Sequence, residues 1–246
     1  HSTYIAGAIS HCILGGLGAA RYFQLVHGAE WFSPMLGALL AALIAAIIIA
    51  WVTVYAKERI DSVLSIIWAF GMAVGITFIM KTPGYSQDLM SYLFGSILMV
   101  SPADLVLMII LDGIILTAAV LFYNPIVAVC FNEEAARVRG LPVALITFLL
   151  MILTALTIVL LVQLVGIILV IALLSIPGAM VSRFTKTLSG MMIYASIAGL
   201  LFILSGLVLS YEPQLPAGAT IIQVAVFAYA AVLVVTAMMG WKRRRR

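Results

Sequence analysis

The sequence predicts an all-α fold, a polytopic bundle of membrane helices. Three observations lead there. Of 246 residues, 65% are hydrophobic and 9% charged, whereas a soluble domain carries about a quarter charged residues and about half apolar ones. The apolar residues run in stretches of about 20, the length that crosses a hydrocarbon core. The sparse Lys and Arg residues fall between alternate stretches, as they do when one side of a membrane is the cytoplasm. The formal charge of +4 is explained by that sidedness, so a nucleic-acid partner is not expected; the immediate partner is membrane lipid.

Eight stretches qualify in chain order: 4–26, 34–56, 61–80, 103–128, 142–163, 165–183, 188–210 and 217–240. The fifth and sixth are nearly continuous, with Gln163 and Gly166 as the only punctuation, so a tight turn is expected there. Between the third and fourth, residues 82–100 are too short and polar to span, and read as a loop carrying a short interfacial or re-entrant helix. Small residues recur in GGLGAA and LGALLAALIAA, a composition that lets membrane helices approach closely. Cys12 and Cys130 lie in or beside apolar runs and read as small buried hydrophobes.

The chain ends in Lys242, Arg243, Arg244, Arg245 and Arg246, which places the C-terminus in the cytoplasm. Counting back through eight crossings, the cytoplasmic loops hold Lys57, Arg59, Arg137, Arg139, Arg183 and Lys186. Eleven of thirteen basic residues then lie inside, leaving Arg21 and Lys81 outside. An odd number of crossings would scatter them over both sides.

That count also makes FNEEAARVRGLP (131–142) cytoplasmic. Asn132 suits an N-cap, and Glu133 and Glu134 suit the positive end of a helix dipole. Arg137 and Arg139 fall toward the other end, with Gly140 as the C′ residue and Pro142 beyond. The segment thus encodes its own helix of about two turns over 132–140, with Ala135, Ala136 and Val138 as a small contact surface. Such a helix is too short to stand alone in water. It reads either as a docking element or as an ordinary capped connector.

Glu134-Ala135-Ala136 followed at the fourth place by Gly140 resembles the EAAxxxG pattern in the coupling loop of bacterial ABC importer permeases. ISHCILGGLG (9–18), DSVLSIIWAFGMAVGITFI (61–79), YLFGSIL (92–98), VGIILVIALLSIPGAMVSRF (165–184) and LPAGATIIQV (215–224) are similar, in order, to blocks of the permeases that import zinc, manganese or iron. The likeness runs along essentially the whole chain. It implies a single permease domain over 1–246, working as a homodimer in the bacterial cytoplasmic (inner) membrane. A separate ABC ATPase subunit would bind ATP and engage Glu133, Glu134, Ala135, Ala136, Arg137 and Gly140. An extracytoplasmic metal-binding protein would deliver Zn²⁺, Mn²⁺ or Fe²⁺. It also implies a further hydrophobic segment ahead of His1, because relatives carry one before the ISH block.

His11 is the leading pathway candidate, since an ionisable group within a span is a functional hypothesis by default and imidazole suits borderline metals. Gly7, His11, Gly15 and Gly18 share one helical face, which reads as a pathway lining or as a packing face. Many relatives place an aspartate where Gly7 stands, which puts the transfer of metal specificity in doubt. Asp112, mid-span, is a second candidate metal ligand or a hydrogen-bonded strut. Pro177 would kink or break its helix, near the pore or for structural reasons alone. Glu212 and Gln214, outside the last span, could meet a delivery protein or simply be solvated; relatives often have aspartate at the position of Gln214. The twelve Met residues are scattered and read as packing.

The chain has no GxxxxGK[ST] loop, HExxH or CxxC. It is therefore not expected to be an enzyme, or to hold a cofactor of its own. An ion-coupled secondary metal transporter using His11 and Asp112 is the alternative reading, and an intramembrane enzyme a more distant one. A tag placed after Arg246 is expected to be accessible only from the cytoplasmic side in protease-protection assays; labelling from outside overturns the orientation.

Overall fold

The structure, a computed structural model, describes residues 2–56, 59–82, 102–185, 187–211 and 215–244. These form helices α1 (Ser2–His27), α2 (Pro34–Tyr55), α3 (Ile60–Lys81), α4 (Pro102–Leu121), α5 (Tyr123–Phe131), α6 (Glu133–Val138), α7 (Val143–Val181), α8 (Leu188–Tyr211) and α9 (Ala217–Arg244). No strand occurs among the described residues, as the apolar stretches predict. The expected re-entrant segment at 82–100 falls, but for Thr82, outside the described residues, as do Glu212 and Gln214.

Among the described residues, length and composition qualify six helical segments to cross a membrane, short of the eight expected: Pro34–Tyr55, Ile60–Lys81, Val143–Val162, Leu164–Val181, Leu188–Tyr211 and Ala217–Thr236. A seventh is added if two bent pieces count as one span. The other two expected stretches differ from a straight apolar span. The stretch expected as one helix over 103–128 is instead two, Met108–Leu121 and Tyr123–Phe131, bent by 67° at Phe122. Pro125 lies just beyond; it has no N–H to donate, and its ring would collide with the carbonyl of Leu121 in a straight helix. Helix α1, with Ser10, His11, four glycines, Arg21 and Gln24, is more polar than its neighbours.

The turn expected at 163–166 is present as a break inside α7. Gly166, at φ 78° and ψ 162°, is its only non-helical residue. That backbone conformation is open to glycine and costly to other residues. The break expected at Pro177 does not occur: α7 stays helical through it to Val181. Proline is tolerated inside membrane helices where neighbouring helices and Ser or Thr side chains compensate for the freed backbone groups.

α1 forms the centre of the bundle, packed against α3, α2 and α7. Ile9, Ser10 and Ile13 are fully buried, with Ile49 of α2 and Ile158, Ile167 and Leu169 of α7. Lipid is as apolar as leucine, so membrane helices associate through close packing rather than through expulsion of water. The contacts show it. A Cβ added at Gly16 would run into the Gly37 carbonyl of α2, and one at Gly15 would lie 2.9 Å from the Gly71 carbonyl of α3. One added at Gly18 would stand at the same distance from the Gly75 carbonyl. On the far side of the bundle, Gly206 of α8 meets Ile221 of α9 in the same way. Hydroxyls inside the spans return to their own helices; Ser10 donates to the Ala6 carbonyl at 2.8 Å and Thr154 to the Leu150 carbonyl at 2.8 Å, so these hydroxyls need no partner from lipid. Large apolar side chains such as Phe70, Ile109 and Phe227 cover the exterior.

Gly16→Leu is expected to destabilise the bundle by about 1–3 kcal/mol or more through overpacking, read as a lower midpoint in thermal unfolding of the detergent-purified protein. Gly113→Ala, where nothing lies within 4 Å of an added Cβ, is expected to leave that midpoint within error.

Candidate coupling helix and membrane histidine

α6 has the caps that its sequence encodes. Asn132 is extended at φ −155° and ψ 99°, and its Oδ1 accepts from the Ala135 N–H at 2.9 Å. Glu133 and Glu134 occupy the first turn, where carboxylates complement the exposed N–H groups. At the other end, Gly140 adopts φ 77°. Its N–H donates to the Arg137 carbonyl at 3.0 Å, and the Leu141 N–H donates to the Ala136 carbonyl at 3.1 Å. This pair of bonds is the Schellman motif, which needs a left-handed residue at C′ and so favours glycine. Arg137 Nη2 reaches Glu133 Oε1 at 3.4 Å; as an exposed pair it contributes a few tenths of a kcal/mol at most.

Only one side of α6 is committed to the bundle. Ala136 is 1% exposed, the sole buried residue of the helix, and α6 rests on α5 and α7. The opposite side is free: Val138 is 88% exposed, and with Glu133, Glu134 and Arg137 it lines an open surface depression. Ala135 and Gly140 are exposed as well. A six-residue helix pinned by one alanine, with a mixed acidic, basic and apolar outer face, can receive a partner without being dismantled.

In the membrane region, Gly7, His11, Gly15 and Gly18 do share a face, and that face is the seam with α3. The glycines meet Trp68, Gly71 and Gly75, so they serve close packing. His11 lies in the same seam, its imidazole stacked on the Trp68 indole with ring centroids 4.3 Å apart and 23° between planes. Its Nδ1 is buried and has no hydrogen-bond partner. Beside it, the Cys12 thiol donates to the Ile67 carbonyl at 3.4 Å; Cys12 and Cys130 are both free thiols. A carboxylate at position 7 has no room here, because a Cβ at Gly7 would lie 2.7 Å from Trp68 Cζ3.

Asp112 is not brought to His11. It is exposed on α4, which packs against α5 and α7, and no group of three or more His, Cys, Asp or Glu side chains able to hold a metal occurs among the described residues. Pro177 faces α8, its Cγ 3.8 Å from the position of a Cβ on Gly199. Two residues escaped the sequence reading. Pro125 carried a local signal, the Asn124-Pro125 pair that commonly opens a turn. Trp68 stands in the 61–79 block, but its contact with His11 carried no local signal, because its partners stand more than fifty residues earlier in the chain.

Residues 1–236 match the model of the ABC 3 transport family. The chain belongs to the ABC 3 transport family. It is 37% identical over 231 residues to a probable metal transport system membrane protein of Chlamydia pneumoniae, covering 94% of this chain and 78% of that one. It is 32% identical over 243 residues to the manganese transport system membrane protein MntC of Halalkalibacterium halodurans, covering 97% and 81%. Among solved structures it is similar to PsaBC from Streptococcus pneumoniae in complex with Fab, with a TM-score of 0.78 and 29% identity over 94% of this chain and 80% of that one. As an ABC 3 family member, the chain is a multi-pass membrane transport subunit and not itself an enzyme.

Asn132→Ala is expected to remove about 1 kcal/mol from α6, and Gly140→Ala about 1–2 kcal/mol through the left-handed backbone. Hydrogen exchange should accelerate at the amides of 133–141 in both variants, while those of α1 and α7 stay protected.

Proposed function

We infer that this chain is the membrane permease of an ATP-driven importer of divalent transition metal ions. It works as one permease domain over residues 1–246, with two copies engaging two ATPase subunits through α6. The observation that carries this reading is α6 itself: a self-capped helix that leaves Glu133, Glu134, Arg137 and Val138 free for a partner. Family membership supports ATP as the energy source over ion coupling, and the relatives described as metal transport proteins support the cargo class. Zinc, manganese and iron are the candidates that the sequence blocks imply, and manganese and zinc are metals named for individual relatives.

Eight crossings result when the bent α4–α5 pair counts as one span and α1, the most enclosed helix of the bundle, as another. Four crossings then separate α6 from the C-terminus, which puts both on one side with Arg59, Arg137, Arg139 and Arg183. Positive residues mark that side as the cytoplasm, here of a bacterial inner membrane, where an ATPase can reach α6. An extracytoplasmic binding protein delivers the ion to the opposite mouth. ATP shifts the assembly between outward-open and inward-open states only so far as it binds one state more tightly than the other. α6 transmits that difference to α5 and α7, on which it rests. α5 ends the bent pair at Phe122, so a push on α6 arrives at a joint rather than at a rigid rod. His11 is the pathway ligand in this reading and Asp112 a second, weaker one. Gly166 gives α7 its break along the route, and Pro177 faces α8 within the helical part.

Glu134→Ala removes an exposed side chain and leaves the caps in place. Stimulation of ATPase activity by metal-loaded binding protein is expected to fall about tenfold, within the range of typical coupling energies, with the complex still assembled. His11→Ala is expected to lower metal uptake in proteoliposomes at normal expression. Unchanged coupling in Glu134→Ala and in Val138→Asp would remove the docking role from α6.

A further inference from the structure

The imidazole of His11 is oriented by an aromatic face and not by a hydrogen bond. A ligating histidine almost always has its other ring nitrogen held by an oxygen, which fixes the tautomer and the ring plane. His11 lacks this restraint: Nδ1 is buried with no partner. What the ring does have is Trp68, stacked 4.3 Å away at 23°. The indole in turn has a single seat. Three atoms of its six-membered ring, Cζ3, Cη2 and Cε3, stand 2.7, 3.3 and 3.4 Å from the place a Cβ would take on Gly7, one turn before His11. Tyr4 approaches the same indole at 6.4 Å. Nor can α3 draw back to free it. Gly71 and Gly75 hold α3 against α1, with an added Cβ at Gly71 only 2.7 Å from Cys12 Cα and one at Gly75 only 2.9 Å from the Leu14 carbonyl carbon.

Building on the reading of His11 as a pathway ligand, we propose that Trp68 is a positioning residue for His11, and that Gly7 is the notch that lets it act. The indole slots over Gly7, presses its face on the imidazole and limits rotation about the Cβ–Cγ bond. A passing divalent cation then meets a nitrogen in a set direction. Without the indole the imidazole samples other orientations, and the ion must select the competent one, which weakens apparent affinity by the fraction lost. The rate of the ATP-driven step, set by the ATPase subunits and their contact with α6, is unaffected.

The test is a double-mutant cycle in the assembled permease–ATPase complex in proteoliposomes, with Zn²⁺ and Mn²⁺ as probes and KM read separately from maximal rate. Trp68→Phe keeps a stacking face and should hold KM within about twofold, the usual limit of additivity errors. Trp68→Leu keeps apolar bulk without the face and should raise KM about tenfold, equivalent to about 1.4 kcal/mol, with basal ATPase activity and maximal rate unchanged. Gly7→Ala should raise KM similarly beside Trp68. It should lose that effect beside Trp68→Phe, because phenylalanine lacks the far part of the indole that a Cβ at position 7 would strike. Should Trp68→Leu misassemble, as judged by size-exclusion chromatography, the Gly7/Trp68→Phe cycle decides alone. A Leu variant as good as the Phe variant, or a Gly7→Ala effect equal in both backgrounds, overturns the proposal. His11→Ala separates the two readings: normal uptake in that variant removes His11 from the pathway and the positioning role with it, whereas impaired uptake with an additive cycle overturns the positioning role only.

Discussion

The close approach of α1 to α2 and α3 is the constraint on which the rest of the bundle depends. With no water to expel, two helices in lipid gain from each other only by contact, and contact is greatest where the backbones nearly touch. Gly16 against Gly37 joins α1 to α2, and Gly15 and Gly18 against Gly71 and Gly75 join it to α3. Each pair removes two side chains and replaces them with backbone-to-backbone packing. The arrangement fixes both the distance and the register of the three helices. It also explains how α1 can be less apolar than α2, α3 and α7, against which it packs, and still lie at the centre: neighbouring protein, rather than lipid, surrounds its polar residues.

Register in turn determines what stands beside His11. Gly71 opposes Gly15 and Cys12, so Trp68, one turn before Gly71, must arrive between Gly7 and His11. A slip by a single residue would carry the indole off the seam. The absence of a side chain at position 7 is therefore part of the same packing solution, and a carboxylate there would require the indole to leave. The resemblance to metal-ion permeases implies a carboxylate at position 7; the packing shows what fills the space instead.

How much of this was legible in the residues depended on how local each signal was. α6 was legible nearly to the residue, because Asn132 caps the helix it starts and Gly140 closes the helix it ends, both within hydrogen-bond reach. The break in α7 was legible for the same reason: Gly166 needs nothing but its own backbone to take φ 78°. The bend at Phe122 had a local marker in Pro125, which the uninterrupted apolar run concealed. The contact between Trp68 and His11 had none, since it exists only after α1 and α3 are in register. Asp112 could be placed on a helix from sequence, but not on the exposed side of α4, because facing depends on neighbours and not on periodicity alone.

The contrast between Gly166 and Pro177 shows where α7 can bend. Proline is commonly taken as the stronger helix breaker, yet the chain is helical at Pro177 and broken at Gly166. Proline costs a helix one donor and a clash with the carbonyl one turn back. Inside a membrane helix that cost is tolerated where neighbouring helices pack against the affected turn, and Pro177 faces α8. Glycine with a positive φ does something different: it reverses the local path, so the segments before and after it need not share an axis. A 39-residue helix would be about 58 Å long at 1.5 Å per residue, roughly twice the hydrocarbon thickness of a bilayer. The break near its middle is therefore required, whereas a break at Pro177 would leave a first piece still too long to fit. The bilayer's thickness, and not the strength of the breaker, selects Gly166.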